Sequence, residues 1–361
     1  MKQRDQYLDI LRGVAIILMV FGHCFQYGNG TELIQTGDFF NYKIFQIIYS
    51  FHLPLFMLLS GYLFSYTVVR YQDNMTFLKN RVQRTILPII GWQTFHYLTK
   101  AVSMIMNQEG LGFSFIRQYV RSWFTDIWFL WAIAYGSVII YIVRKYLKDS
   151  CFIYLLGWII TFVTPDSLPS LHLYKYMYPF FISGYLFGKN KDRIKEFITK
   201  IGLQYLFVGA LVCYIILFCF WRLNAYIYVT GYTLLNRDSA VKQFVIDMYR
   251  MIIGYAGSAA VISGTKLVYD WGVKRASATV QRKSAISVIQ DLIAKVGQES
   301  LPIYILSCEM VHWFLEAYSD MFHFSYLITI LETVIFIGIC YWVSIFIRKV
   351  PFLNKVMLGG R

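Results

Sequence analysis

The sequence predicts an all-α fold: a polytopic membrane helical bundle of about ten transmembrane helices, with both termini cytoplasmic. Three observations carry that expectation. First, the 361 residues are 57% hydrophobic and only 15% charged, with mean hydropathy +0.50, whereas soluble domains carry about 25% charged residues. Second, apolar runs near the ~20 residues that cross a bilayer recur along the chain. Third, the basic residues cluster in the short segments between those runs. The same composition excludes a disordered chain. The net charge of +14, which in a soluble chain would raise nucleic-acid binding, here reads as membrane orientation.

The apolar runs follow in order. Residues 8–27 form the first span, behind Lys2 and Arg4. No A-x-A-like cleavage site follows it, so it is expected to stay as a helix rather than leave as a signal peptide. The second span, 44–66, contains Pro54 and should kink there. The third covers 85–106. The fourth, 127–143, opens on Trp128-Phe129-Leu130-Trp131 behind Asp126. The fifth and sixth, 151–164 and 174–188, are short and divided by the Pro165–Pro169 turn. The last four are 203–221, 244–267, 301–318 and 325–347. Between the eighth and ninth lies the one long connector, about 268–299. Its Ile286, Ile289, Ile293 and Val296 recur at helical spacing among basic residues, which suits either a helix on the membrane surface or a solvated basic connector.

Counting Lys and Arg in the connecting segments gives orientation. Of 34 basic residues, 24 fall on the side of the termini and seven on the other, with Arg12, Lys100 and Arg250 inside spans. The alternation survives every crossing, which a wrong span count would scramble. No internal repeat or Ser/Gly linker divides the chain, so one membrane domain over 1–361 is expected. The six cysteines lie in apolar segments without a CxxC pair, and neither a metal site nor disulfides are expected.

Charged side chains inside a bilayer cost roughly 2.5–3.5 kcal/mol each on insertion scales and are functional candidates by default. Arg12 and His23 stand 11 residues apart, which at 100° per residue leaves about 20° of offset and about 16 Å of rise. They therefore share one face of the first span, Arg12 near its cytoplasmic end and His23 near its outer end. Glu309, His312 and Glu316 fall at i, i+3 and i+7 of the ninth span, again one helix face, and a carboxylate there can orient an imidazole. The bland alternatives are snorkelling for Arg12, a hydrogen-bonded core imidazole for His23, and a polar stripe sealing helix contacts for the ninth span. His52 beside Pro54 reads as packing. Asp126 reads as either a helix cap or a site residue.

These residues resemble the acyltransferase-3 family of membrane proteins. Leu8-Asp9-Ile10-Leu11-Arg12-Gly13, then ten residues between Arg12 and His23 ending in Gly22, is similar to its signature. Phe51-His52-Leu53-Pro54-Leu55-Phe56 with Ser60-Gly61-Tyr62 resembles its second-span motif. Arg81, Arg84 and Pro88 resemble the basic entry to its third span, Trp128-Phe129-Leu130 its fourth-span motif, and Ser300-Leu301-Pro302-Ile303-Tyr304-Ile305-Leu306 its ninth-span entry. The resemblance is dense over about the first 130 residues. One position departs: a His common after that ninth-span Tyr-x-Leu is Ser307 here, which leaves His312 to take any such role.

The resemblance implies transfer of an acetyl or other short acyl group from acetyl-CoA, a co-substrate rather than a bound cofactor, to a hydroxyl of a bacterial surface polysaccharide or its lipid-linked precursor. The protein would then be a multi-pass inner-membrane enzyme, with the bilayer, acyl-CoA and a glycan acceptor as partners and a homo-oligomer allowed. Arg12, Arg81 and Arg84 would hold the CoA phosphates, since Arg pairs well with phosphate oxygens. His23 would act as general base or acyl relay, with Glu309 and His312 as further catalytic candidates. Asp126, Trp128 and Glu316 are candidates for the acceptor, as is Trp123 for stacking on a sugar. Rival readings are a flippase for a lipid-linked sugar and a non-catalytic partner in polysaccharide assembly.

Overall fold

A computed structural model describes residues 5–235, 239–278, 285–311, 314–315, 318, 321 and 324–360. Among these residues every regular element is helical. The α-helices are α1 (Gln6–Tyr27), α2 (Thr31–Thr36), α3 (Lys43–Val68), α4 (Asn74–Arg81), α5 (Leu87–Met106) and α6 (Phe113–Thr125). Then come α7 (Trp128–Tyr146), α8 (Cys151–Val163), α9 (Leu171–Lys189), α10 (Lys191–Ile201), α11 (Leu203–Phe218) and α12 (Ile227–Thr230). The last are α13 (Ala240–Ala278), α14 (Ala285–Gln298), α15 (Ser300–Val311), α16 (Tyr326–Lys349) and α17 (Pro351–Leu358).

Each apolar run of the sequence overlaps a helix, the ninth only as far as Val311 among the described residues, but helical length and hydropathy together single out fewer spans. Five stretches are long and apolar enough to cross a membrane alone: α1, α3, α7, residues 240–274 of α13, and α16. The bent pair α10–α11 makes a sixth if counted as one span. The shortfall has physical causes. Helices α8 and α15 have only 13 and 12 residues. Helices α5 and α9 have the length but carry Gln93, His96 and Lys100, and His172 and Lys175. The 268–299 connector is largely helical, α13 continuing to Ala278 and α14 packing on α1.

The chain divides into two compact units. The first comprises residues 1–59, 189–230 and 245–341. Its spine is α1, whose start is capped by the Asp5 carboxylate accepting from the Tyr7 and Leu8 amides. Small residues let other elements press against it, as in membrane interiors, where packing rather than hydrophobicity drives helix association. A Cβ on Gly13 would collide with the Ile293 carbonyl of α14, and one on Gly22 would lie 2.8 Å from the Tyr49 ring of α3. An aromatic layer fills one end: Phe45 stacks on Tyr49 at 3.9 Å, and Phe25 meets Tyr42, Phe45, Phe324 and Tyr326. On α13 the buried Arg250 is held by Asp247 at 3.5 Å and by the Thr230 hydroxyl.

The second unit comprises 60–188, 231–244 and 342–361. Helix α4 starts at Asp73, whose carboxylate accepts from the Thr76 amide and hydroxyl and is thereby held below the usual carboxylate range. Between α4 and α5 the chain makes a π-turn over Val82–Ile86, with the Leu87 amide donating to the Val82 carbonyl. Pro88 explains the widening, because it has no N–H to offer the Arg84 carbonyl and its ring would crowd it. Helix α17 seats on α5, with Trp92 Nε1 donating to the Met357 carbonyl at 3.0 Å. Lys175 of α9 is buried against Asp166 at 2.6 Å and the Thr164 carbonyl at 2.5 Å.

Candidate functional site

The unbroken run of α1 makes the Arg12–His23 spacing a real geometry rather than a pattern. Arg12 is fixed by a small network. Its Nη1 lies 3.4 Å from Asp9 Oδ1, one turn earlier, and its Nε and Nη2 donate to Ser300 Oγ at 3.2 and 2.9 Å. Asp9 Oδ2 accepts from Gln298 Nε2 at 3.2 Å. The guanidinium is thus locked to the α14–α15 junction, yet its side chain keeps 22% exposure against 6% for Asp9. A fixed, partly open guanidinium on the N-terminal half of a helix suits an incoming phosphate.

His23 is half-buried, about one turn before the end of α1. Its neighbour Gly22 carries the Tyr49 ring, which also lies edge-on to His52 at 4.6 Å. His52 itself is buried and donates from Nδ1 to the Ile48 carbonyl at 2.8 Å, the packing role expected of it. Glu309 is half-buried on α15, which packs on α1. It stands about 13.5 Å along α15 from Ser300, close to the ~16 Å between Arg12 and His23. His312 and Glu316 lie outside the described residues.

One further carboxylate belongs to this end of α1. Glu332 of α16 is 7% exposed, and neither of its oxygens has a hydrogen-bond partner among the described residues. It sits directly on Gly28, where any Cβ would collide with its carboxylate. The contact is anchored beside it: Asn29 donates to Thr329 Oγ1 at 2.8 Å and accepts from the Ser325 amide at 2.9 Å. Gly28 is five residues beyond His23, about 7.5 Å along the axis. A buried carboxylate with no internal partner points to a missing ligand or a functional role.

The remaining candidates fall in the second unit. Arg81 is already engaged: it donates to Ser137 Oγ at 3.2 Å, Tyr71 Oη at 3.2 Å and Asn80 Oδ1 at 2.8 Å. Its guanidinium also lies over the Phe64 and Phe77 rings. Arg84 is exposed on the π-turn, a kind of distortion often found at functional sites. Asp126 is exposed and closes α6, accepting from Thr125 Oγ1 at 2.6 Å; α7 has Ile127 at its N-cap, so the cap alternative for Asp126 fails. Trp128 is half-buried, edge-on to Phe129. The Trp123 indole N–H is buried without a partner among the described residues.

A family model described as an acyltransferase domain matches residues 5–349. The chain belongs to the acyltransferase-3 family. Relatives agree: a nodulation protein NolL of Sinorhizobium fredii is 27% identical over 307 residues, covering 84% of this chain and 77% of that protein. A nodulation protein NolL of Mesorhizobium japonicum is 27% identical over 277 residues, covering 75% and 71%. No solved structure matches.

In this acyltransferase the signature residues gain distinct physical roles. Asp9 pairs with Arg12, and Ser300 of the ninth-span motif holds the guanidinium from the other side. Two motifs 288 positions apart thus build one guanidinium clamp. Glu332, like Lys100 and Arg250, has no role that the sequence alone indicates. Its only signal was a lone acid in the most apolar of the long helices, and nothing in the spacing linked it to α1.

Proposed function

We propose that this acyltransferase-3 protein is a membrane O-acyltransferase that moves an acetyl or other short acyl group from cytoplasmic acyl-CoA to a hydroxyl of a cell-surface polysaccharide or its lipid-linked precursor. The observation that carries the reading is α1 itself: a clamped Arg12 and His23 on one face, with a buried, unpartnered carboxylate at the His23 end. All ten apolar runs span the inner membrane of a bacterium in this reading, and both termini lie in the cytoplasm. Arg12 receives a CoA phosphate, and Arg81 and Arg84 are further candidates for the donor's phosphates.

The acyl thioester reaches the level of His23. The imidazole takes the proton from the acceptor hydroxyl, whose oxygen attacks the thioester carbonyl. An ester bond forms and the C–S bond breaks, and the CoA thiolate leaves and takes the proton back from the imidazolium. Glu332 accepts hydrogen bonds from other acceptor hydroxyls and so orients the attacking one. Glu309 supports this end of the site; His312 and Glu316 are proposed as further candidates by their sequence spacing alone, and Asp126 and Trp128 as candidates for binding the acceptor.

The test is a His23→Ala protein in cells whose surface-glycan acetylation is measured. General-base catalysis contributes about 10²- to 10⁴-fold, so acetylation should fall to background at normal protein levels. Full acetylation at normal levels would remove His23 from the reaction. Turnover of radiolabelled acetyl-CoA by the purified wild type separates this reading from a flippase, which would consume none.

A further inference from the structure

Helix α10 has no place in the chemistry above, yet its geometry is unusual. Gly202 joins it to α11 with a bend of 89°, and Gly202 adopts φ +91°, a conformation that favours glycine. Helix α11, Leu203–Phe218, carries no charged residue and is apolar but for Gln204 and its tyrosine hydroxyls. If α11 runs through the bilayer, α10 lies along its surface.

The side chains of α10 are sorted for that position. At 100° per residue, Ile194, Phe197, Ile198 and Ile201 fall within an arc of about 100°. Lys191 and Lys195 border that arc on one side, and Arg193 and Lys200 on the other. The two acids, Asp192 and Glu196, fall on the pole opposite the apolar arc, about 40° apart. No residue of α10 is buried, and Phe197 and Ile201 are 57% and 38% exposed. An apolar stripe flanked by cations, with acids turned away, is the arrangement of an amphipathic helix seated among anionic headgroups, its Lys and Arg stems snorkelling outward.

We propose that α10 lies flat in the cytoplasmic leaflet, with Phe197 and its isoleucines among the upper acyl chains and Lys191, Arg193, Lys195 and Lys200 on anionic phospholipid phosphates. The occupant of the uncovered stripe is lipid, because the cations border the stripe as headgroup contact requires and the bend turns the helix into the membrane plane. The side of the membrane rests on the topology given under Proposed function; the flat seating does not.

Spin labels on Phe197→Cys and Glu196→Cys, each in a cysteine-free background, test the seating in nanodiscs. The label at 197 should meet dissolved oxygen more than a water-soluble nickel chelate, and the label at 196 the reverse. Equal access of the chelate to both positions would overturn the proposal, as would exclusion of both quenchers from 197, the result expected of a protein cover. Hydrogen exchange of unmodified protein over 191–201 supplies a measurement independent of folding in the variants. Exchange should slow when phosphatidylglycerol is added to phosphatidylcholine discs, and unchanged exchange would also overturn it. Labelling of Lys195→Cys by an impermeant reagent in intact cells reads the topology separately: labelling there would reverse the side without disturbing the flat seating.

Discussion

Glu332 separates a structural reading of the α1 end from a functional one, because the two predict opposite signs. The carboxylate is 7% exposed and has no hydrogen-bond partner among the described residues. An unsatisfied buried polar group costs about 1–3 kcal/mol, and more when charged. Glu332→Met, of similar length and without polar atoms, should therefore leave stability unchanged or raise it by about that amount. If its two oxygens each accept a hydrogen bond from the acceptor, at about 1.5–3 kcal/mol for a bond to a charged group, the loss is roughly 3–6 kcal/mol. That corresponds to about 10²- to 10⁴-fold in kcat/KM for the acceptor. The assay is transfer of radiolabelled acetyl from acetyl-CoA to a host membrane extract by protein in nanodiscs, alongside a thermal melt. Glu332→Met should melt no lower than wild type, keep its KM for acetyl-CoA, and lose acceptor turnover. A lower melting temperature with intact turnover would refute the reasoning and make Glu332 a packing residue.

Two other perturbations probe the cytoplasmic half of α1. Arg12→Ala should raise the KM for acetyl-CoA and also destabilise the protein by about 1–3 kcal/mol, since Asp9 at 6% exposure loses its ion-pair partner and keeps the hydrogen bond from Gln298. Adding Asp9→Asn should recover most of the stability and none of the donor affinity, read by melting and by initial rates; recovery of both would make Arg12 purely structural. Gly13→Ala places a methyl group against the Ile293 carbonyl and should cost about 1–3 kcal/mol by overpacking, measured as a lower melting temperature. An unchanged melt would mean that α14 is not seated on α1 as described.

Much of this arrangement is legible in the sequence, and the reasons differ by element. The apolar runs overlap helices because exclusion from water leaves the backbone no other way to satisfy its hydrogen bonds locally. The Arg12–His23 face follows from helical periodicity inside one uninterrupted element. Helix α6, between the third and fourth runs, escaped notice because Arg117, Arg121, Gln118 and Ser114 break its apolar pattern. Helix α10 hides in a basic connector for the same reason: its apolar positions are four among eleven, and only the three-dimensional period groups them.

What the sequence determines by itself is composition and local period, and these decide an apolar, all-helical chain and which side chains share a helix face. Contacts between elements distant in the chain are decided by packing alone. The glycines at 13 and 28 carry no chemistry, yet they admit the α14 backbone and the Glu332 carboxylate to α1. Ser300 and Gln298 reach the Asp9–Arg12 pair across almost the whole chain. Periodicity extends only along one helix, so the clamp on Arg12 and the carboxylate near His23 become visible only when the tertiary structure brings separate helices together.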